Sequence, residues 1–540
     1  MSTSPRKLSP AVLKAALHDG GEIALLDARE EMVFDGRHLL MAACVPLSRV
    51  ELMADASVPR RSTRVVWCDD GEGLAESAAA RMLALGYTDV SVLDGGLAAW
   101  EKAGYRIYNG VHVPSKAFAE VIEHETHTPW ISAEQLKAMI DSKADMVVFD
   151  SRSYEEFHTN SIPTAISVPG AELVYRFADL VPSPDTLVVV NCGGRTRSII
   201  GAQSLINAGV PNKVVSLKNG TQGWALAGYP VLKGITDRAP AVSPAGQAAA
   251  RAAADRVAAR YGIPRIDEAT LARWQAESNH GTAARTLYVF DVRSPEEYRV
   301  GHVPGMKHVA GGQLVQETER HATTWGARVV LVDDDGVRAV MTAHWMKQMG
   351  WEVSALTLDL KALGTEAGPW QPPVLGLEQA TATLINATAL QQRLQAGGVS
   401  VIDVDWSRDY YAGHIPGAWY GIRSRLAAIL PQLPAGDAVV FTSGDGALAR
   451  LAADDARSLT KSEVLALAGG TAAWRRAGLP LEQGATRMGT RADDLRIRAR
   501  EQSGDVKAAM EAYLSWEIEL VNQMATDDDQ RFCVMGSTHA

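Results

Sequence analysis

The chain has 540 residues, 46% of them hydrophobic and 21% charged, with a net charge of −10. A single core stops growing at roughly 250–300 residues, so about three to five domains are expected. The composition excludes a disordered chain, and the acidic balance excludes a general attraction for nucleic acid or an anionic membrane surface.

Four cysteines, Cys44, Cys68, Cys192 and Cys533, contain no Cys-x-x-Cys pair and are too few for a disulfide framework. Residues 1–7 lead into no apolar run of the signal-peptide kind. No apolar stretch reaches the roughly 20 residues of a membrane span. The expectation is a cytoplasmic chain with free thiols.

In chain order, one set of features recurs four times. The first copy, residues 5–107, opens on a helix start at Ser9-Pro10. A buried strand at 24–27 closes on Asp27, with Arg29 two residues on and a turn at Gly36-Arg37-His38. A second strand, 65–67, runs into a loop at Cys68, and the copy ends on Gly95-Gly96 and Trp100. Residues 105–130 read as polar and irregular.

The second copy, 126–235, starts at Ser132-Ala133-Glu134. Its strand 147–150 ends on Asp150 with Arg152 following, its turn is the decayed Ser161-Ile162-Pro163, and its second strand is 187–190. The loop Cys192-Gly193-Gly194-Arg195-Thr196-Arg197-Ser198 comes next, and Gly220 and Trp224 close the copy. A linker, 236–263, carries a helix start at Ser243-Pro244 and an Ala/Arg-rich helix over 245–261.

The third copy, 264–373, has Asp267-Glu268, strand 288–291 with Arg293, Gly301-His302-Val303-Pro304-Gly305 and strand 329–332. Its loop is Asp333-Asp334-Asp335-Gly336-Val337-Arg338, and only Ala367-Gly368-Pro369 remains of the ending. The fourth copy, 383–484, has Asn386-Ala387, strand 401–403 with Asp405 in place of the Arg, Gly413-His414-Ile415-Pro416-Gly417 and strand 439–441. Its loop is Ser443-Gly444-Asp445-Gly446-Ala447-Leu448, and Gly469-Gly470 and Trp474 end it. The tail, 485–540, shows helical periodicity over 492–524. It is expected to pack on one of the domains, or on a second copy of the chain in a homo-oligomer.

The register is tight. The strand-end Asp precedes the loop by 41 residues (27 to 68), 42 (150 to 192), 42 (291 to 333) and 40 (403 to 443). Strands alternating with helices predict four α/β domains, each a mainly parallel sheet flanked by helices, plus a C-terminal helical tail. Ligands of such sheets bind beyond the carboxyl ends of the strands, which directs attention to the loop after the second strand.

At that position the second copy alone combines a thiol, glycines and arginines. A Cys just before a helix N-terminus meets converging amides and the positive dipole end. With Arg195 and Arg197 nearby, its pKa is expected to fall from about 8.5 into a range of roughly 3.5–7.5. Gly193 and Gly194 let the loop curl its amides inward, which also gives the local positive site that an anionic substrate of an acidic protein requires. The first copy has a thiol at Cys68 but three acids and no Arg in its loop, and the other two copies have no cysteine. His124 and His127 lack further partners, so no metal site is expected.

The Asp-x-Arg strand end, the Gly-His-x-Pro-Gly turn, the Cys loop and the ending Gly95-Gly96-Leu97-Ala98-Ala99-Trp100-Glu101-Lys102-Ala103-Gly104 together resemble the rhodanese family. The resemblance implies a six-residue active-site loop and a persulfide intermediate formed by ping-pong transfer. It implies that Cys192 takes the outer sulfur of thiosulfate, a small anion, and passes it to cyanide or a thiol, with no cofactor. Gly193, Gly194, Arg195, Thr196, Arg197 and Ser198 would then bind the substrate, and Asp150 and Arg152 would form a structural pair beside the loop. The family's commoner loop has Gly where this chain has Arg195. Two other readings stand beside this one. One is a sulfur-relay or scaffold protein whose degenerate copies dock partners. The other is a phosphatase or arsenate reductase, whose loop is one residue longer than the step from Cys192 to Arg197.

Overall fold

The computed structural model describes residues 5–279, 281, 283–502 and 504–535. Four α/β domains are present, each built on a mainly parallel sheet. In the second, the strands lie in the order Trp130–Ile131, Val214–Leu217, Leu187–Asn191, Met146–Asp150, Ala165–Ser167, all parallel. The third has Lys307–His308, Leu287–Asp291, Arg328–Asp333 and Glu352–Thr357. The fourth repeats the five-stranded order of the second. The central strands are apolar on both faces because helices cover both sides of each sheet. Among the described residues no helix is long and apolar enough to cross a membrane.

The chain divides into two compact units. One is formed by Leu25–Val111 and Pro372–Ile497 with the start of the chain, and so holds most of the first copy and the fourth. The other is formed by Lys14–Ala24, His112–Gln371 and the segment from Arg498 on, and holds the second and third copies.

The recurring sequence features have physical roles. In three copies the Arg two residues past the strand end grips its Asp with a fork of hydrogen bonds. Arg152 donates from Nε to Asp150 Oδ1 at 2.8 Å and from Nη2 to Oδ2 at 2.7 Å, and also reaches the Asn160 carbonyl at 2.6 Å. Arg29 and Arg293 do the same with Asp27 and Asp291, reaching the carbonyls of Arg37 and Gly301. The fork fixes the turn that follows the strand. In the fourth copy Asp405 cannot do this, and burial pushes the Asp403 carboxyl up to about 7. The turn histidine is a packing residue. His302 stacks on Tyr298 and His414 on Tyr410, both with ring centroids 3.7 Å apart.

The Gly/Trp ending is explained by close approach. Gly220 has φ +54°, and a β carbon there would lie 2.4 Å from the Cys192 carbonyl and 2.7 Å from that of Gly194. The helix Gly220–Leu226 therefore rests directly on the loop backbone, while Trp224 is buried and donates from its indole N–H to the Pro230 carbonyl at 2.9 Å. Gly96 and Gly470 make the same approach to the loops of the first and fourth copies.

Two expectations need correction. Within 105–130 lies a helix, Val113–Thr126, entered through His112 in a left-handed conformation. It is buried around most of its circumference, Lys116 and Glu120 included, so it shows no polar face for a periodicity to reveal. In the tail the helix is Val506–Met524, capped by Asp505, and among the described residues of 492–505 there is no more than the short 3-10 turn Ala499–Glu501. The linker helix matches its expectation: it is Pro244–Tyr261, capped by Ser243.

The second and third copies meet through a reciprocal contact. Arg197 and Arg338 occupy the same loop position, the fifth after Cys192 and after Asp333. Arg338, fully buried, binds Glu297, Asp334 and Asp335 of its own copy and Glu172 of the second copy at 2.8 Å. Removing one partner of a buried charge cluster costs about 3–5 kcal/mol. Arg338→Ala is therefore expected to lower the free energy of unfolding, measured in urea, by that order. Burial already pushes Asp335 up to about 6, so the orphaned acids protonate easily and the deficit should shrink between pH 8 and pH 5. A deficit independent of pH would contradict this account.

Candidate active site

The strand Leu187–Asn191 is buried and ends where the helix Thr196–Asn207 is about to start. Cys192 stands in that gap, 2% exposed. Its position is held from three sides. Thr221 donates its N–H to the Cys192 carbonyl at 2.8 Å, and Gln222 donates to Gly193 at 3.1 Å. The Asn191 amide donates to Asp150 Oδ2 at 2.8 Å, and Ser151 N–H and Oγ donate to the Asn191 carbonyl at 2.9 and 2.8 Å. Asp150 and Arg152 thus brace the residue next to the thiol.

Around the sulfur, the Cys192 thiol meets Ser198 Oγ at 3.4 Å, and Ser198 Oγ donates to the Arg195 carbonyl at 2.8 Å. The backbone N–H groups of Gly194 and Ser198 lie near enough to the sulfur to favour its thiolate, although the Ser198 N–H also donates to the Arg195 carbonyl at 3.1 Å. Burial nevertheless pushes the Cys192 thiol up from its ordinary value, against the pull of Arg197, Ser198 and the two amides. This corrects the expected depression. Desolvation of a buried thiolate outweighs the Coulomb pull of Arg197, the largest of the opposing effects.

Each loop arginine is paired. Arg197 donates to both Glu156 oxygens at 2.6 and 3.0 Å and to Gln313 Oε1 at 2.8 Å. Burial raises the Glu156 carboxyl, yet Arg197 outweighs it and holds the group at about 2. Arg195 is turned away from the sulfur. It grips Glu120 with Nε and Nη2, both at 2.7 Å, binds Glu123 as well, and reaches Asn219 Oδ1 at 3.3 Å. Burial pushes Glu120 up to about 7 despite Arg195. The expected local positive site is thus a set of closed ion pairs, and Arg195 ties the loop to the helix Val113–Thr126. Thr196 lies at the lip, its Oγ1 3.5 Å from Glu517 Oε1.

The sequence reading missed Glu120, Glu123, Glu156, Gln313, Tyr513 and Glu517. Tyr513 and Glu517 come from the C-terminal helix, where Tyr513 donates to Glu517 Oε1 at 2.6 Å. An i, i+4 pair at 513 and 517 was a readable signal for one face of that helix. Nothing in the sequence ties that face to residue 194.

The other three loops fill their own amide cradles. Asp69 accepts from Gly71 and Ala75 N–H at 2.9 and 3.0 Å, and Cys68 beside it is fully buried with its thiol pushed well up, first by burial and then by Asp27. Asp333 accepts from Gly336 and Ala339 at 3.0 and 2.9 Å. In the fourth copy Ser443 Oγ accepts from Ala449 at 3.2 Å, and Asp445 from Ala447 at 2.9 Å. In the second copy amides of the same loop are turned on sulfur.

For a cation, His18, Asp528 and Asp529 come together among the described residues, but Lys14 already binds both aspartates. His124 sits beside Glu125, and no metal-holding group includes His124 or His127 among the described residues.

Two measurements test this geometry. Alkylation of Cys192 by iodoacetamide should climb with pH beyond about 8.5, the usual thiol value; a plateau below pH 7 would show an activated thiolate in the free protein. Arg195→Ala should leave Glu120 and Glu123 facing each other unpaired and cost about 3–5 kcal/mol in urea unfolding, with little change in KM for an anionic substrate. A large KM increase without a stability loss would put the Arg195 guanidinium on the substrate.

Residues 9–103, 132–227, 271–364 and 386–477 match the family described as Rhodanese-like domain. The crystal structure of a thiosulfate sulfurtransferase from Pseudomonas aeruginosa superposes with a TM-score of 0.94 at 47% identity, covering 98% of this chain and 100% of that one. Shorter stretches are similar to two Mycobacterium tuberculosis proteins. The HTH-type transcriptional regulator Rv0324 is 38% identical over 103 residues, 19% of this chain and 45% of that protein. The probable adenylyltransferase/sulfurtransferase MoeZ is 33% identical over 96 residues, 18% of this chain and 24% of that protein. The chain thus spans less than half the length of these two curated relatives. With four tandem copies of the domain and this full-length likeness, the chain belongs to the rhodanese-like family.

Proposed function

We propose that the protein is a thiosulfate sulfurtransferase working through a persulfide on Cys192. The observation that carries this reading is the contrast among four equivalent loops: in three, carboxylates or a serine hydroxyl take up loop amides, and in the second, amides face a thiol. The Pseudomonas aeruginosa protein similar to this chain along its whole length is named a thiosulfate sulfurtransferase.

In the proposed reaction, the Cys192 thiol first gives its proton to water, and the resulting thiolate attacks the outer sulfur of thiosulfate. The sulfur–sulfur bond to the sulfonate breaks, and sulfite leaves with the bonding pair. The Cys192 persulfide rests on the amides of Gly194 and Ser198 and on the Ser198 hydroxyl, which stabilise charge on the terminal sulfur. Cyanide or a thiolate then takes that sulfur and Cys192 returns as thiolate. Arg197, released in part from Glu156, meets the sulfonate; Gly193 and Thr196 shape the mouth. Asp150 and Arg152 position the loop without touching substrate. No cofactor is required.

On this reading residues 126–235 are the catalytic domain. The domains 5–107, 264–373 and 383–484, the linker 236–263 and the tail 485–540 support it, and a cytoplasmic, reducing location suits its free thiols. A sulfur-relay role for the degenerate domains is compatible with the same chemistry. A phosphatase is disfavoured because Arg197 is the fifth residue after Cys192, and turnover of an aryl phosphate would reverse that judgement.

Cys192→Ala is expected to abolish transfer from thiosulfate to cyanide, while Cys68→Ala keeps most of it. Intact mass after thiosulfate treatment should show a gain of one sulfur, mapped to Cys192 and removed by cyanide. Full activity in Cys192→Ala would sink the assignment.

A further inference from the structure

The C-terminal helix Val506–Met524 covers the lip of the Cys192 loop. It is fixed to the helix Val113–Thr126 by Lys116, whose Nζ lies 4.9 Å from the Tyr513 ring centre and 4.7 Å from that of Trp516. Three side chains from two helices then converge on one glycine. A β carbon at Gly194 would lie 3.2 Å from Glu517 Oε2, 3.5 Å from Gln222 Nε2 and 3.5 Å from Tyr513 Cε1. Gly194 also supplies one of the amides that face the sulfur.

Glu517 is 1% exposed. Its Oε1 accepts from Tyr513, but among the described residues its Oε2 has no hydrogen-bond partner. Gln222 Oε1, on the helix Gly220–Leu226, is also buried without one. Two side chains from different helices, each with an acceptor that lacks a donor, therefore approach the same loop residue, Glu517 through Oε2 itself and Gln222 through Nε2. A buried acceptor left without a donor is costly, more so when it is charged. The loop cations cannot supply it, because Arg195 is held by Glu120 and Glu123 and Arg197 by Glu156.

Resting on the persulfide reading above, we infer that Glu517 and Gln222 form a subsite that reads the sulfur acceptor and takes the ammonium group of an aminothiol. The thiolate of such a molecule attacks the outer sulfur of the Cys192 persulfide. The bond between that sulfur and Cys192 Sγ breaks, Cys192 leaves as thiolate, and the acceptor departs as its own persulfide. Glu517 touches the acceptor's ammonium group away from the reacting sulfurs and sets specificity. The same carboxylate repels an acceptor that carries a negative charge beside its thiol.

The test is made on the full chain, loaded with thiosulfate and discharged by cysteamine, 2-mercaptoethanol or mercaptoacetate, in wild type, Glu517→Gln and Gln222→Leu. The intrinsic reactivity of each thiol cancels when rate ratios are compared between variants. Loss of one charge-assisted hydrogen bond predicts a drop of about tenfold in the ratio of cysteamine to 2-mercaptoethanol in Glu517→Gln. Gln222→Leu should give a smaller drop in the same direction, and mercaptoacetate should gain in Glu517→Gln. Glu517→Gln keeps the side-chain shape and the contact with Tyr513, so the helix stays docked. Equal ratios in all three proteins, with the persulfide forming normally, overturn this inference alone. A wild-type protein that forms no persulfide on Cys192 overturns the sulfurtransferase reading and this inference with it.

Discussion

Backbone amides gathered between a strand end and a helix start must have an acceptor, and the rest of this molecule follows from how each copy supplies one. The four domains share a sheet, a turn and a loop of matching register. They part company at the first residues after the second strand. An acidic side chain at that point closes its own ring of amides and ends the loop's capacity to take a ligand. Asp69 does so immediately after a cysteine, and the thiol of Cys68 is thereby left in an acidic, buried setting. Glycines at 193 and 194 have nothing with which to close the ring, and amides of the second copy remain committed to sulfur. The glycine at 220 belongs to the same constraint, since any side chain there would collide with the carbonyls of the loop it supports.

The energetic balance at Cys192 is decided by burial. A thiol with two arginines within a few residues invites the inference of a low pKa, yet the arginines are spent on Glu120, Glu123 and Glu156. The Coulomb pull of Arg197 is the largest effect favouring the thiolate, yet desolvation at 2% exposure outweighs it. A resting site of this kind keeps its sulfur protonated and guarded. On the proposed reading, an anion arriving at Arg197 competes with Glu156 for the guanidinium.

Much of this architecture was legible in the sequence because it is local. Ser132, Ser243 and Asn386 cap the helices they precede. The apolar strands, the Asp-x-Arg fork and the Gly/Trp ending all act within a few residues of each other or against the next element. Cys192 was legible for the same reason, as a residue type at a fixed strand end. What was hidden depends on long-range pairing. Arg195 meets Glu120 across 75 positions and Thr196 meets Glu517 across 321, and no periodicity encodes such meetings. The helix Val113–Thr126 escaped notice because it is buried on nearly all sides, so Lys116 and Glu120 read as loop residues when they are interior partners of an aromatic pair and an arginine. The start of the final helix was misplaced because residues 492–504 carry scattered apolar side chains ahead of the cap that Asp505 provides.

The third copy, which carries no thiol at its loop, contributes a side chain to the loop arginine of the second. Glu172 and Gln313 stand at the same place in their copies, 22 residues after the strand-end acid (150 to 172, 291 to 313), and each crosses to the partner copy's loop arginine. The exchange is symmetric in geometry and unequal in charge. Glu172 gives Arg338 a full counter-charge, locking a loop already filled by Asp333 and Asp335. Gln313 gives Arg197 a neutral carbonyl oxygen, which orients the guanidinium and leaves its charge for Glu156 or an incoming anion. Had the third copy kept an acid at 313, Arg197 would be bound by two carboxylates as Arg195 is, and the second copy would lose the one loop cation that reaches toward its sulfur. The difference between the loops of the third and second copies therefore lies partly in the neighbouring domain, at a single position where an amide replaces a carboxylate.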